Sequence, residues 1–260
     1  MLKGKAAVVT GSTSGIGLGV ARALASVGAD IMLNGFGEPQ ETESLRASFA
    51  EEFGVGVAYS AADMSRPEQA RGLIEHATKE LGRVDVLVNN AGVQFTAAVE
   101  EFPVEKWDQV IAINLSAAFH TIAAALPQMR TRNWGRIINV ASTHGLVAST
   151  HKAAYVAAKH GLIGLTKVVA LEAATSRITC NAICPGWVLT PMVQKQIDEL
   201  AARDRLDPDK AREKLLAGKQ PSLQFATADQ IGMLAVYLAS EAAAEMRGAG
   251  LPVDGGWLAQ

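Results

Sequence analysis

Within HKAAYVAAKH, residues 151–160, a tyrosine precedes a lysine by four positions, with alanines around them. Residues four apart share a helical face, so Tyr155 and Lys159 are expected side by side. A free phenol titrates near pH ~10 and is a poor base at neutrality. An ammonium about 4 Å away contributes on the order of 4 kcal/mol at an effective dielectric of about 20. That is enough to bring the phenol towards neutrality before burial subtracts. The pair predicts an acid/base suited to an alcohol proton. Ala153, Ala154, Ala157 and Ala158 are expected to keep bulk away where this helix lies close to ligand and sheet.

A second constellation is glycine-rich. In TGSTSGIGLGVARAL (10–24), Gly11, Gly15 and Gly17 follow an apolar run and open a helical pattern. Small residues let backbone approach a pyrophosphate, and a helix amino end offers free N–H groups and positive potential. Nucleotide binding is the expectation. After the second apolar run, Asn34-Gly35-Phe36-Gly37 carries no carboxylate for the ribose hydroxyls of NAD. Neither that run nor Ser12, Thr13 and Ser14 offers a base for the phosphate of NADP. An unpaired buried charge is the costlier omission, so NAD is favoured.

These residues need elements to hold them. Apolar runs at 5–10, 29–35, 55–61, 83–90, 135–142, 178–185 and 251–256 read as strands, several apolar on both faces, as a covered parallel sheet requires. Helical periodicity occupies 15–28, 40–53, 67–81, 104–130, 152–174, roughly 192–217, and 227–241. This alternation predicts one α/β domain over 1–260, a doubly wound, Rossmann-type, three-layer fold with a seven-stranded parallel sheet. The polar stretch around 190–220 breaks the rhythm and is expected to form a helical substrate lid.

Composition narrows the function classes. The 260 residues are 49% hydrophobic and 19% charged, with 24 Lys plus Arg against 26 Asp plus Glu, a net charge of -2. This balance offers no footprint for nucleic acid or an anionic membrane. No apolar run approaches the ~20 residues needed to span a bilayer. The amino terminus runs directly into a strand, without room for a secretory signal. A cytoplasmic location follows as the expectation. Cys180 and Cys184 lack further ligands nearby and read as free thiols, with no metal site.

Taken together, T-G-x-x-x-G-x-G, NNAG at 89–92, Asn114 in AINLSAAF, Ser142 in NVAS and the Tyr155/Lys159 pair resemble the short-chain dehydrogenase/reductase family over essentially the whole chain. The resemblance implies that Tyr155 is the acid/base and that Ser142 hydrogen-bonds the reacting oxygen. It implies that Lys159 also binds the nicotinamide ribose and that Asn114 holds a proton-relaying water. Cofactor contacts are implied from Gly11, Thr13, Gly15, Ile16, Gly17, Phe36, Asn90, Ala91 and Gly92, and from Asp63 to the adenine amino group. Pro185, Gly186, Val188 and Thr190 of CPGWVLTP would lie beside the nicotinamide. Read alone, Asp63 is also a plausible strand-end cap. Family members are usually homotetramers that use the helices at 104–130 and 152–174.

Substrate must be read from other residues. Gln94, His144, Lys152 and Gln196 carry polar groups near this constellation, and Trp187 and Trp257 offer apolar walls. Read alone, Lys152 is a solvated helix-start charge and His144 a loop histidine. GVQ (92–94), STHGLVAS (142–149), NAICPGWV, EKLLAGKQPSLQF (213–225) and VDGGW resemble the bacterial D-3-hydroxybutyrate dehydrogenases within the family. That resemblance implies that the four polar residues hold a substrate carboxylate. It also implies reversible oxidation of (R)-3-hydroxybutyrate to acetoacetate. Phe95 and Leu189 stand where that group carries histidine and arginine. Two other readings stay open: a reductase of a longer 3-hydroxy acid, sugar, cyclic alcohol or 3-oxoacyl thioester, and a non-catalytic nucleotide sensor. A neutral substrate would leave Lys152 unpaired, and a sensor has no need of the phenol–ammonium pair. The late DGG (254–256) is expected to be structural.

Overall fold

A computed structural model describes residues 1–260. All seven predicted strands form: β1 (Ala6–Val9), β2 (Asp30–Asn34), β3 (Val57–Ser60), β4 (Val86–Asn89), β5 (Gly135–Val140), β6 (Ile178–Pro185) and β7 (Gly250–Val253). They pair in parallel, in the order β3-β2-β1-β4-β5-β6-β7. The helices between them are α1 (Gly15–Ser26), α2 (Pro39–Phe53), α3 (Pro67–Leu81), α4 (Val104–Ile111), α5 (Ala117–Arg132), α6 (Ala153–Glu172), α7 (Pro191–Asp204), α8 (Pro208–Ala217) and α9 (Ala228–Ala239).

The period-2 alternation of strand side chains explains why these strands are apolar throughout. Ala7, Val9, Val86, Val88, Ile138 and Val140 face one way, into a core shared with α1 and α9. Their neighbours Val8, Leu87 and Ile137 face the other way, into a core shared with α3 and α5. Both faces are covered, so neither can be polar. The strand order reverses between β1 and β4. In open α/β sheets the ligand crevice lies outside the carboxyl ends of the strands at such a point.

Three features depart from the sequence expectations. The helix expected over 104–130 is interrupted at residues 112–116 by a π-helical turn, which carries Asn114. The helix expected over 192–217 is two helices. Arg205 ends α7 in the left-handed conformation (φ 54°), and Asp207 starts α8 by accepting from the N–H groups of Asp209 and Lys210, both at 3.1 Å. An Asp cap followed by Pro is a helix start, and it outweighs the continuous periodicity around it. Finally, contrary to the expectation of no membrane-length apolar run, Val104–Arg132 and α6 are long and apolar enough by length and composition to cross a bilayer. That apolarity covers the sheet instead: Ala117, Ile122, Ala125 and Met129 of α5 and Val169 and Ala170 of α6 are buried in the second core. The DGG segment follows β7 as a turn, with Asp254 accepting from Gly256 and Leu258 N–H.

Candidate active site

At the carboxyl ends of the strands lies a cavity of about 380 Å³. Every site residue named from the sequence lines it except Gly17 and Asn114. Those two shape the wall from behind.

The first wall is the turn between β1 and α1. Gly17 sits so close to the turn that an added Cβ would collide with the Gly11 carbonyl oxygen and the Asn90 amide nitrogen. No side chain caps the amino end of α1, and no acidic residue sits in its first turn. Its donors are therefore left for an anion, as a pyrophosphate cradle requires. Thr10, which sequence reasoning passed over, fastens this turn to the loop after β4. Its Oγ1 accepts from the N–H groups of Asn90 and Ala91, both at 2.9 Å. Asn90 returns the contact, with Nδ2 donating to the carbonyls of Thr10 (2.9 Å) and Gly11 (3.0 Å).

Asn34, after which no carboxylate follows, has a job of its own. It accepts from Gly11 N–H at 3.2 Å and donates to the Ser60 and Ala62 carbonyls at 3.1 and 2.9 Å, locking the turn to β3. Phe36 is exposed at the cavity mouth. Asp63 lines the cavity and also accepts from Ser65 N–H at 2.8 Å, a contact that holds its carboxyl below the usual range. Its cap role and its place on the wall coexist.

Asn114 pairs both amide atoms with the Val93 backbone, at 2.9 Å each way. The wide π turn aims the side chain at the loop that carries Gly92, Val93 and Gln94, and so fixes that loop. π-turns inside helices are frequent at functional sites.

Ser142, Tyr155 and Lys159 meet beyond that loop. Ser142 closes β5 and caps a short helical turn, its Oγ accepting from His144 N–H at 3.1 Å. Lys159 is buried, and its Nζ donates to the Val140 carbonyl at 2.8 Å, leaving two of its three protons for other partners. Burial lowers its pKa to about 8. Burial also pushes the Tyr155 phenol up, with only the Ser142 hydrogen bond pulling it down. This corrects the expected sign. The Lys159 ammonium lies 5.6 Å from the Tyr155 ring centre, is tied to Val140 and is itself weakened by burial, so in the protein alone desolvation wins. The alanines also play a different part: Ala154 and Ala158 pack against Val110 of α4, Ala157 is exposed, and none of the four lines the cavity. They let α4 close on the back of α6 while its front carries Tyr155 and Lys159. Gly145 is what brings the β5 loop onto that helix, since a Cβ there would meet the Lys159 carbonyl at 2.8 Å.

The remaining wall is aromatic and cationic. Trp187 and Trp257 stack, with ring centres 6.4 Å apart at 26°. Lys152 lies over Trp187 at 5.4 Å, and Lys219, which the sequence did not single out, lies over Trp257 at 4.8 Å. Burial and then repulsion from Lys219 bring Lys152 down to about 8. It is not the solvated charge that its position at a helix start suggests. No carboxylate offsets either lysine. The one carboxylate on the cavity wall, Asp63, follows β3 at the opposite edge of the sheet. His144 is buried, and burial with both lysines drives its imidazole down to about 3, so it stays neutral. Its Nε2 lies 2.8 Å from Ser149 Oγ and its Nδ1 3.5 Å from Ser142 Oγ. Gln94 and Gln196 complete this end. Phe95 turns away, edge-on to Phe102 at 5.5 Å, and Leu189 is exposed.

A profile described as short chain dehydrogenase matches residues 5–201. The chain belongs to the short-chain dehydrogenase family. Within it, this oxidoreductase is 55% identical over 260 residues to a protein of Cupriavidus necator named D-beta-hydroxybutyrate dehydrogenase, covering 100% of both chains. It is 50% identical over 256 residues to a protein of the same name from Rhizobium meliloti, covering 98% of this chain and 99% of the other. Among solved structures, that of levodione reductase superposes with a TM-score of 0.91 at 31% identity, covering 100% of this chain and 99% of that one. Members of the short-chain dehydrogenase family use a nicotinamide cofactor, and the unpaired α1 amino end, the Gly17 cradle and the two spare Lys159 protons fit one.

Proposed function

We propose that this enzyme reversibly oxidises (R)-3-hydroxybutyrate to acetoacetate with NAD, in the cytoplasm and as a homotetramer. The observation that carries the substrate class is Lys152, an ammonium on the cavity wall beside Trp187 with no carboxylate partner. An uncompensated, half-buried cation beside an acid/base pair is a site for an anionic substrate. The two bacterial relatives named for this activity support the particular acid.

NAD rather than NADP is supported by the character of the crevice where Phe36 and Asp63 lie. The basic residues on the cavity wall, His144, Lys152 and Lys159, all come from segments that follow β5. Asn34, Gly35 and Phe36, which line that part of the wall, offer no cation to a ribose phosphate.

When bound, oxidised NAD supplies the hydride acceptor and a positively charged ring. Lys159 would hold the ribose hydroxyls, and the loops after β1, β4 and β6 would hold the remainder. Lys152, Gln94 and Gln196 hold the carboxylate, whereas His144, which the resemblance also assigns to it, has its ring nitrogens directed at Ser142 and Ser149. The hydroxyl at C3 would lie between Ser142 and Tyr155; with the positive ring and the Lys159 ammonium beside it favouring the phenolate, Tyr155 first gives up its own proton to solvent and then takes the hydroxyl proton as the C3 hydrogen leaves with its electron pair. In the reverse direction Tyr155 returns the proton to the carbonyl oxygen. The test is absorbance at the reduced-nicotinamide band with each cofactor and a panel of 3-hydroxy acids and neutral alcohols. (R)-3-hydroxybutyrate with NAD is expected to give the highest kcat/KM, and a neutral alcohol that outpaces it would overturn the substrate assignment.

A further inference from the structure

Lys219 lies two residues beyond α8, yet its Nζ donates to Ser149 Oγ in the loop that follows the catalytic serine. Ser149 Oγ in turn is 2.8 Å from His144 Nε2, and His144 reaches Ser142 through both its backbone N–H and Nδ1. We propose that Lys219 is a positioning residue that sets the proton polarity of this chain of groups, so that Ser142 directs its own hydroxyl proton at the reacting oxygen.

The donors in this chain of groups set its polarity. An ammonium can only donate, so Ser149 Oγ must accept from it. The only protein acceptor left for the Ser149 hydroxyl proton is His144 Nε2. Donating it there gives every group in the chain a partner, and leaves Nε2 unprotonated. The imidazole is buried and faces two lysines, which keeps it neutral with a single proton. That proton must sit on Nδ1, the nitrogen turned towards Ser142. Ser142 Oγ then faces two donors from His144, the backbone N–H at 3.1 Å and Nδ1–H at 3.5 Å. With both lone pairs addressed, its hydroxyl proton points out, to the oxygen between Ser142 and Tyr155. The other tautomer would offer Ser142 an acceptor, and the serine would spend its proton on His144 instead. Lys219 thus fixes, across three hydrogen bonds, whether the serine is a donor to substrate. Its place after the α7–α8 segment couples that segment to the catalytic loop. Lys219 has no carboxylate partner, so an ion pair does not account for its placement.

The kinetic arm of this inference rests on the proposed reaction, whereas the tautomer of His144 belongs to the resting protein. Long-range proton–nitrogen NMR on protein labelled at its 5 histidines, with His144→Gln to assign the signal, is expected to show the proton on Nδ1. Ser149→Ala should move it towards Nε2. Removing one oxyanion-type donor outright costs about 100- to 1,000-fold; misdirecting it costs less, so Lys219→Met and Ser149→Ala should each lower kcat about tenfold. KM for 3-hydroxybutyrate should stay within about twofold. The double variant should lose no more than either single one, and Lys219→Arg and Ser149→Thr should restore turnover. A proton on Nε2 in the unmodified protein would overturn the proposal, as would a Lys219→Met that raises KM at unchanged kcat. If 3-hydroxybutyrate is not turned over at all, the reaction assignment fails while the tautomer result still decides this one.

Discussion

At the scale of single residues, the site is governed by what burial does to each ionisable group. Lys152 is the clearest case: with its pKa at about 8 it is cationic at neutral pH and loses that charge within the next pH units. A charge-assisted hydrogen bond is worth about 1.5–3 kcal/mol, so Lys152→Ala should raise KM for 3-hydroxybutyrate by roughly 10- to 100-fold. Cofactor affinity, read by fluorescence titration of reduced nicotinamide, should barely change; an equal loss of both would make Lys152 a structural residue. The pH dependence follows from the same group. In the proposed function the ammonium is the form that binds the acid, and it is lost as pH rises through about 8. KM for the hydroxy acid should therefore climb above that pH, while KM for a neutral alcohol stays flat. Tyr155 shows where residue types stop being informative. Its spacing to Lys159 was legible, but the direction of its pKa was not, because the sign depends on desolvation and on where the Lys159 protons go.

At the scale of elements, the strands and most helices were legible because a two-sided apolar run has few other uses in a chain of this length. The π turn was not legible, since AINLSAAF is apolar or small on almost every face and so hides the phase shift that an extra residue makes. Nor was the break at Arg205, whose left-handed conformation is unusual for its residue type. Thr10 and Asn34 were missed for a related reason: their partners lie one strand over, at sequence separations no local pattern exposes. Thr10→Val tests the role of that clamp. It leaves the N–H groups of Asn90 and Ala91 without their acceptor and should cost about 2 kcal/mol in urea unfolding. It should also weaken NAD binding, because the Gly11 turn loses its anchor to β4. Unchanged stability and affinity would mean that water replaces the hydroxyl at no cost.

At the scale of the whole molecule, apolar side chains remain exposed on both sides of the sheet. Phe119 of α5 with Val168 and Leu171 of α6 lie on one side, and Met233 and Tyr237 of α9 on the other. Large exposed apolar groups gathered on helix faces mark association surfaces. Two independent faces suit a dihedral tetramer, which needs at least two kinds of contact. Light scattering should give four times the 27.3 kDa of one chain. Leu171→Asp should leave dimers held by the α9 face. A monomer in the unmodified protein would contradict the assembly.

The central claim is that Tyr155 moves the proton of a substrate alcohol. Tyr155→Phe removes that hydroxyl and little else. Measured at saturating NAD and (R)-3-hydroxybutyrate, kcat should fall by about 100-fold or more, while the NAD dissociation constant holds. Turnover by the phenylalanine variant at the unmodified rate would contradict the account.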